Sequence, residues 1–131
     1  MLVLDTSALL AALVGSPTNA ALNERLSADG DLHAPHLIDV EALHALRRLV
    51  RRGDLSPERA LAARQDLRDL TIIRYPHVAL VDQMWELREN LTAYDAAFVS
   101  LSEALGVPLV TADARLARAT GHGAEIEAFS G

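Results

Sequence analysis

The sequence predicts an α/β fold, with a mostly parallel central sheet of four to five strands flanked by about seven helices. Two observations carry this. Short apolar runs alternate with helix-patterned stretches along the chain, and those runs are continuous Val, Leu and Ile, as strands covered on both faces require. Length supplies the third: a chain of 131 residues buries about two thirds of its unfolded surface. That is enough for a core without staples, so one domain over residues 1–131 is expected.

The elements follow in order. "LVLD" at 2–5 reads as a strand and runs into a short helix from Ser7. Ser16-Pro17 is a cap followed by Pro at the first helical position, opening a helix to about Ser27. "DLHAP" at 31–35 is a short strand. A long helix spans about His36 to Arg52 and stops at Gly53, and Ser56-Pro57 opens another to about Asp69. "LTIIRY" at 70–75 reads as a strand, followed by a helix over Val78–Asn90. Thr92 caps a helix from Ala93 to Leu105, closed by Gly106. "VPLVTAD" at 107–113 is the clearest buried strand; a short helix to Thr120 and a last strand, "AEIEAF" at 124–129, complete the series.

Composition removes several function classes. The chain has no Cys, which excludes disulfides, thiolate metal sites and a Cys nucleophile and fits a cytoplasmic protein. All 12 basic residues are Arg, so Schiff-base chemistry and a P-loop lysine are absent. The same absence, with Ser7 where an Asp-x-Asp motif needs its second Asp, argues against a haloacid-dehalogenase-type phosphotransferase. Net charge is −6, which weighs against a sequence-independent grip on nucleic acid. No apolar run approaches the roughly 20 residues of a membrane span, and strand-like residues from position 2 leave no room for a signal peptide.

Four acids draw attention: Asp5, Glu41, Asp95 and Asp113. Asp5 and Asp113 stand at the carboxyl ends of their strands, where ligands bind in such sheets. Each acid has a bland reading. Asp5 and Asp113 suit helix caps, Asp95 stands three residues after Thr92 as in a capping box, and Glu41 suits an exposed helix position. Yet Glu41 lies in "LIDVEALHAL" and Asp95 in "AYDAAFVSL", apolar stretches where an inward charge is costly unless paired. Converging carboxylates repel one another, and a hard divalent cation, Mg²⁺ or Mn²⁺, is the partner an all-oxygen set suits.

The stretches "LDTSALLAAL", "VEALHALRRLVRRGDLSPERA" and "AYDAAFVSLSEALGVPLVTADARLA" resemble the PIN-domain family, in particular the VapC-type toxins of bacterial toxin–antitoxin pairs. The resemblance covers nearly the whole chain in order, and the Tyr-Asp-Ala helix followed by "PLVTADARL" is its most specific part. It implies a PIN-like fold and Mg²⁺-dependent endoribonuclease activity. It also implies Asp5, Glu41, Asp95 and Asp113 as the acidic metal site, with Thr111 and Ser7 as supporting hydroxyls. Glu41 matches better than nearby Asp39, whose expected place is the positive end of the helix. A homodimer bound to a cognate antitoxin is implied as well, with "ALLAAL" as a groove for the antitoxin's helix. The alternative is a catalytically silent PIN-like module that binds RNA or protein.

Two further features compete. "HAPH" at 33–36 and "EALH" at 41–44 invite a histidine–metal reading, but the second lacks the partner copy a di-iron bundle needs. His44 then lines a groove or packs. "RRLVRR" at 47–52 is either a solvated helix end suited to the negative dipole or a phosphate track. Helical spacing places Glu41, His44, Arg48 and Arg52 on one stripe, which makes Arg48 and Arg52 candidate RNA contacts.

Overall fold

Leu2, Val3 and Leu4 are fully buried because β1 (Leu2–Leu4) is the middle strand of a five-stranded, all-parallel sheet. The structure is a computed structural model and describes residues 1–15 and 19–129. The other strands are β2 (Leu32–Pro35), β3 (Ile72–Tyr75), β4 (Leu109–Thr111) and β5 (Ile126–Ala128), in the order β3-β2-β1-β4-β5. Strand order therefore reverses between β1 and β4, the switch point at which such sheets open a crevice beyond their carboxyl ends. The register of Leu4 with Val110 makes Asp5 and Thr111 neighbours there.

Seven α-helices are present among the described residues: α1 (Thr6–Val14), α2 (Ala20–Asp29), α3 (Leu37–Arg51), α4 (Pro57–Asp69), α5 (Val81–Glu86), α6 (Ala93–Leu105) and α7 (Ala114–Ala117). Helix α6 packs on β1, β2 and β4 and against α5, while α1, α3 and α4 pack on one another. Seven consecutive residues of α6, Ala96 to Ser102, are buried. Phe98 is the largest fully buried side chain.

Ser56 caps α4 through the Arg59 N–H, and α6 starts at Thr92 and ends on Gly106 at φ 67°, as the sequence predicts. Strand ends are shorter than the apolar runs: Asp5 lies beyond β1 as the cap of α1, which begins at Thr6 rather than Ser7. The Ser16-Pro17 signal lies outside the described residues, and α2 runs from Ala20 past Ser27 to Asp29.

The helix expected over Val78–Asn90 is broken. A single 3-10 turn (Val78–Leu80) precedes α5, and beyond Glu86 the chain tightens into turns in which Arg88 and Asn90 bond carbonyls only three residues back. Burial explains the loss, since short helices draw their stability from an apolar face packed on the core. Here Leu87 alone is fully buried, while Val78, Val81 and Trp85 stay exposed. Similarly, α7 ends at Ala117 rather than Thr120. No helix among the described residues is long and apolar enough to cross a membrane.

Candidate active site

Asp5 is both a cap and a buried acid. Its Oδ1 accepts the Ala8 N–H at 2.9 Å and the Ser7 hydroxyl at 2.7 Å, and its Oδ2 accepts the Thr111 hydroxyl. Burial pushes its pKa up, and the charge of Asp95 adds to this; the three donors oppose it. The cap alone does not account for Thr111, which comes from β4. That hydroxyl also accepts the Asp113 N–H at 3.0 Å, and Ser7 accepts the Ala112 N–H at 2.9 Å. Both hydroxyls thus reach Asp5 while each accepts a backbone N–H, and the two hydroxyl oxygens lie 3.1 Å from each other.

Glu41 enters from α3. Its Oε1 accepts the Thr6 hydroxyl at 2.8 Å. Burial raises its pKa, and the charges of Asp95 and Asp5 contribute. Asp95, half-buried in the first turn of α6, is likewise raised by burial and then by Asp113, with Arg115 and Thr92 opposing. Asp113 caps α7 through the Arg115 N–H at 2.9 Å and lies 3.5 Å from the Arg115 guanidinium.

The four acids thus belong to one electrostatic neighbourhood at the switch point. Among the described residues, no group of three or more His, Asp or Glu is close enough to hold a metal ion as it stands. The donor set is nevertheless all oxygen, with like charges that a cation would neutralise. Their chemistry fits a hard divalent ion.

Sequence reasoning misses Thr6. The clue lies in "DTS", where two hydroxyls follow Asp5: Ser7 serves Asp5, and Thr6 serves Glu41. Asp39 stands in the first turn of α3, as expected of an acid at the helix's positive end, and it has a side-chain partner as well. Arg74 of β3 clasps both its oxygens, at 2.6 and 2.7 Å. His33 is buried between Tyr75 and Asp31, whereas His36 is exposed, so "HAPH" makes no shared site.

Beside the acids a cleft of about 540 Å³ is lined by Thr6, Val40, Glu41, His44, Arg48 and Tyr94, among others. A second, of about 290 Å³, is lined by Thr6, Ser7, Arg48 and Arg52, among others. The stripe from Glu41 to Arg52 therefore runs along adjoining clefts that lead away from the acids. Arg48 forms no ion pair among the described residues, and Arg52 pairs with Asp54 at 3.1 Å.

The family model that matches this chain is the PIN domain, over residues 2–121. The chain belongs to the PIN-domain family. It is 47% identical over 116 residues to ribonuclease VapC9 of Mycobacterium tuberculosis, with 88% of each chain covered. Among solved structures, PAE2754 from Pyrobaculum aerophilum matches with a TM-score of 0.69 and 26% identity, covering 95% of this chain and 81% of that one. VapBC2 from Rickettsia felis, bound to a DNA fragment from their promoter, shares the fold with a TM-score of 0.66, 15% identity and 97% coverage of both chains. In this PIN domain Asp5 and Asp113 follow the two strands that flank the sheet's switch point, and Glu41 lines the adjoining cleft with His44, Arg48 and Tyr94.

Proposed function

We propose that this PIN-domain chain is a divalent-metal-dependent endoribonuclease, the toxin of a toxin–antitoxin pair, with Asp5, Glu41, Asp95 and Asp113 holding the cation. The ribonuclease class rests on the VapC relatives, and VapC9 is 47% identical. The assignment of residues rests on one observation: burial raises the pKa values of Asp5, Glu41 and Asp95, and a neighbouring acid adds to each, Asp95 for Asp5, Asp95 and Asp5 for Glu41, and Asp113 for Asp95. Mg²⁺ is the ion that suits an all-oxygen set, with Mn²⁺ as substitute. When bound, a divalent ion lowers the pKa of water and stabilises charge developing on a phosphodiester.

The chain's own residues do the rest. Ser7, Thr111 and the Ala8 N–H fix both oxygens of Asp5, and Thr6 holds one oxygen of Glu41. A carboxylate so fixed would keep one orientation toward a bound ion, and this preorganisation is what such a site contributes. Arg48 and Arg52 bind phosphates flanking the cleaved bond, which reconciles RNA binding with a net charge of −6.

A cognate antitoxin, and a homodimer of this chain, complete the proposal. Of "ALLAAL", Ala8, Leu9 and Leu10 are buried in the core, while Ala12 and Leu13 line a cleft of about 620 Å³. Exposed apolar side chains are found at Leu43 of α3 and Leu61 of α4. They line a cleft of about 470 Å³ with Arg47, Arg51 and Arg64, which suits an amphipathic segment carrying acids. Co-expression with a cognate antitoxin is expected to relieve growth arrest caused by this chain alone.

The deciding experiment incubates purified protein with structured RNA, with and without Mg²⁺ or Mn²⁺, beside Asp5→Asn. Cleavage that needs the ion and disappears in the variant is expected. Equal cleavage by Asp5→Asn overturns the assignment.

A further inference from the structure

Tyr94 is left over once the acids are assigned. It occupies the first turn of α6, directly before Asp95, and is 65% exposed. It is no part of the hydrophobic core, and among the described residues its phenol makes no hydrogen bond. Neither packing nor polar pairing explains a large aromatic ring at that position. Its place does: it shares the 540 Å³ cleft with Glu41, His44, Arg48 and Thr6, a size typical of small-ligand clefts.

We propose that Tyr94 is the platform on which one unpaired base beside the cleaved bond stacks. The proposal rests on the ribonuclease reading above. Three arguments favour a base over other occupants. Tyr94 presents an exposed aromatic ring to the cleft, and a base has the flat face that stacks on it where a phosphate has none. Arg48 shares the cleft and Arg52 lies further along the same stripe, so both suit phosphates that follow the stacked base in one direction. A base inside an A-form duplex is already stacked on its neighbours and cannot reach a protein ring. Unstacked bases of loops and ends can, and aromatic side chains receive them.

The test is a double-mutant cycle on Kd. Wild-type protein first cleaves a short single-stranded oligoribonucleotide to map the bond. Binding is then measured in the non-cleaving Asp5→Asn background by fluorescence anisotropy. The probes are the intact strand and strands made abasic at either flanking nucleotide.

Tyr94→Ala is expected to weaken binding of the intact strand about 5- to 150-fold, the effect of losing one base stacked on an aromatic ring. Tyr94→Phe keeps the affinity. An abasic site at one flanking position produces a similar loss while Tyr94 is present. The same abasic strand costs Tyr94→Ala nothing further, since both changes remove one contact. Additive losses, or an unchanged Kd in Tyr94→Ala, overturn the proposal while cleavage by wild type leaves the ribonuclease reading standing. Unchanged RNA binding with a weakened antitoxin complex assigns the ring to a protein interface and overturns it too. Wild-type protein that neither cleaves nor binds RNA overturns both readings together.

Discussion

Thr111 donates its hydroxyl proton to Asp5 across 106 positions of sequence, and the parallel register of β1 with β4 brings the two together. Thr111 is 0% exposed and Asp5 5%, so the carboxylate has little water to fall back on. Thr111→Val keeps the shape and removes the donor, and it also strips the Asp113 N–H of its acceptor. A loss of about 1.5–3 kcal/mol at neutral pH is expected, as for hydrogen bonds to charged groups, read from the urea midpoint. The acid limb of the cleavage profile should move to higher pH, because a donor that favours the charged form is gone. Equal midpoints and profiles would show that Asp5 does not depend on this bond.

Stability of the metal-free protein should fall as pH rises. Asp5, Glu41 and Asp95 all have folded pKa values above their ordinary 3.8, 4.5 and 3.8. In the window between those ordinary values and the raised ones the folded state binds more protons, so raising pH through it costs stability that stays lost above. Asp29 runs the other way, its pKa lowered first by the bond from the α-amino group. Comparison with Asp95→Asn therefore isolates the cluster, and the variant should show a shallower fall. Added divalent ion should reverse the trend, with stabilisation growing with pH and reaching about 2.7 kcal/mol at about a hundred times Kd. Thermal midpoints across pH decide it; identical slopes in the two proteins would remove Asp95 from the cluster.

Much of this is legible in local sequence. Continuous apolar runs announce β1 and β4, and Thr92 and Gly106 bound α6 to the residue. The acids at strand ends follow from the same pattern. What local pattern cannot carry is who meets whom. Thr6 reaches Glu41 only because α1 packs on α3, and Arg74 reaches Asp39 from a strand 35 residues away. The segment 78–90 has helical periodicity, but the core covers too little of it to hold a long helix. Tyr94 stands in a stretch that marks the family, but its exposure at a cleft is something periodicity does not report.

Asp39 and Glu41 stand two residues apart on α3 and should separate cleanly. Asp39 is clasped by Arg74 with both partners part-exposed, Arg74 at 29% and Asp39 at 38%, so the pair contributes about 1 kcal/mol or less. Asp39→Asn should lower stability by no more than that and leave cleavage intact. Glu41→Gln should lower cleavage while stability holds or rises, since one like charge leaves the cluster. Single-turnover rates beside urea midpoints check both. The reverse pattern, with Asp39→Asn inactive and Glu41→Gln active, would exchange the two assignments.

Arg48 and Arg52 are expected to act on binding alone. Both line the clefts leading from the acids, and among the described residues neither forms an ion pair with a carboxylate of the site. Each phosphate contact on a single strand contributes about 0.7 to the slope of log K against log salt, through counterion release. Arg48→Ala with Arg52→Ala should therefore flatten that slope by about 1.4 and weaken binding similarly for every RNA sequence. Ion affinity should stay at its wild-type value. Asp95→Asn should give the complementary result, a weakened ion affinity with the salt slope kept. Because Arg52 already pairs with Asp54, Arg48→Ala alone should account for more than half of the loss. An unchanged slope in the double variant would make the stripe an ordinary solvated helix face, with its arginines answering only the negative end of α3.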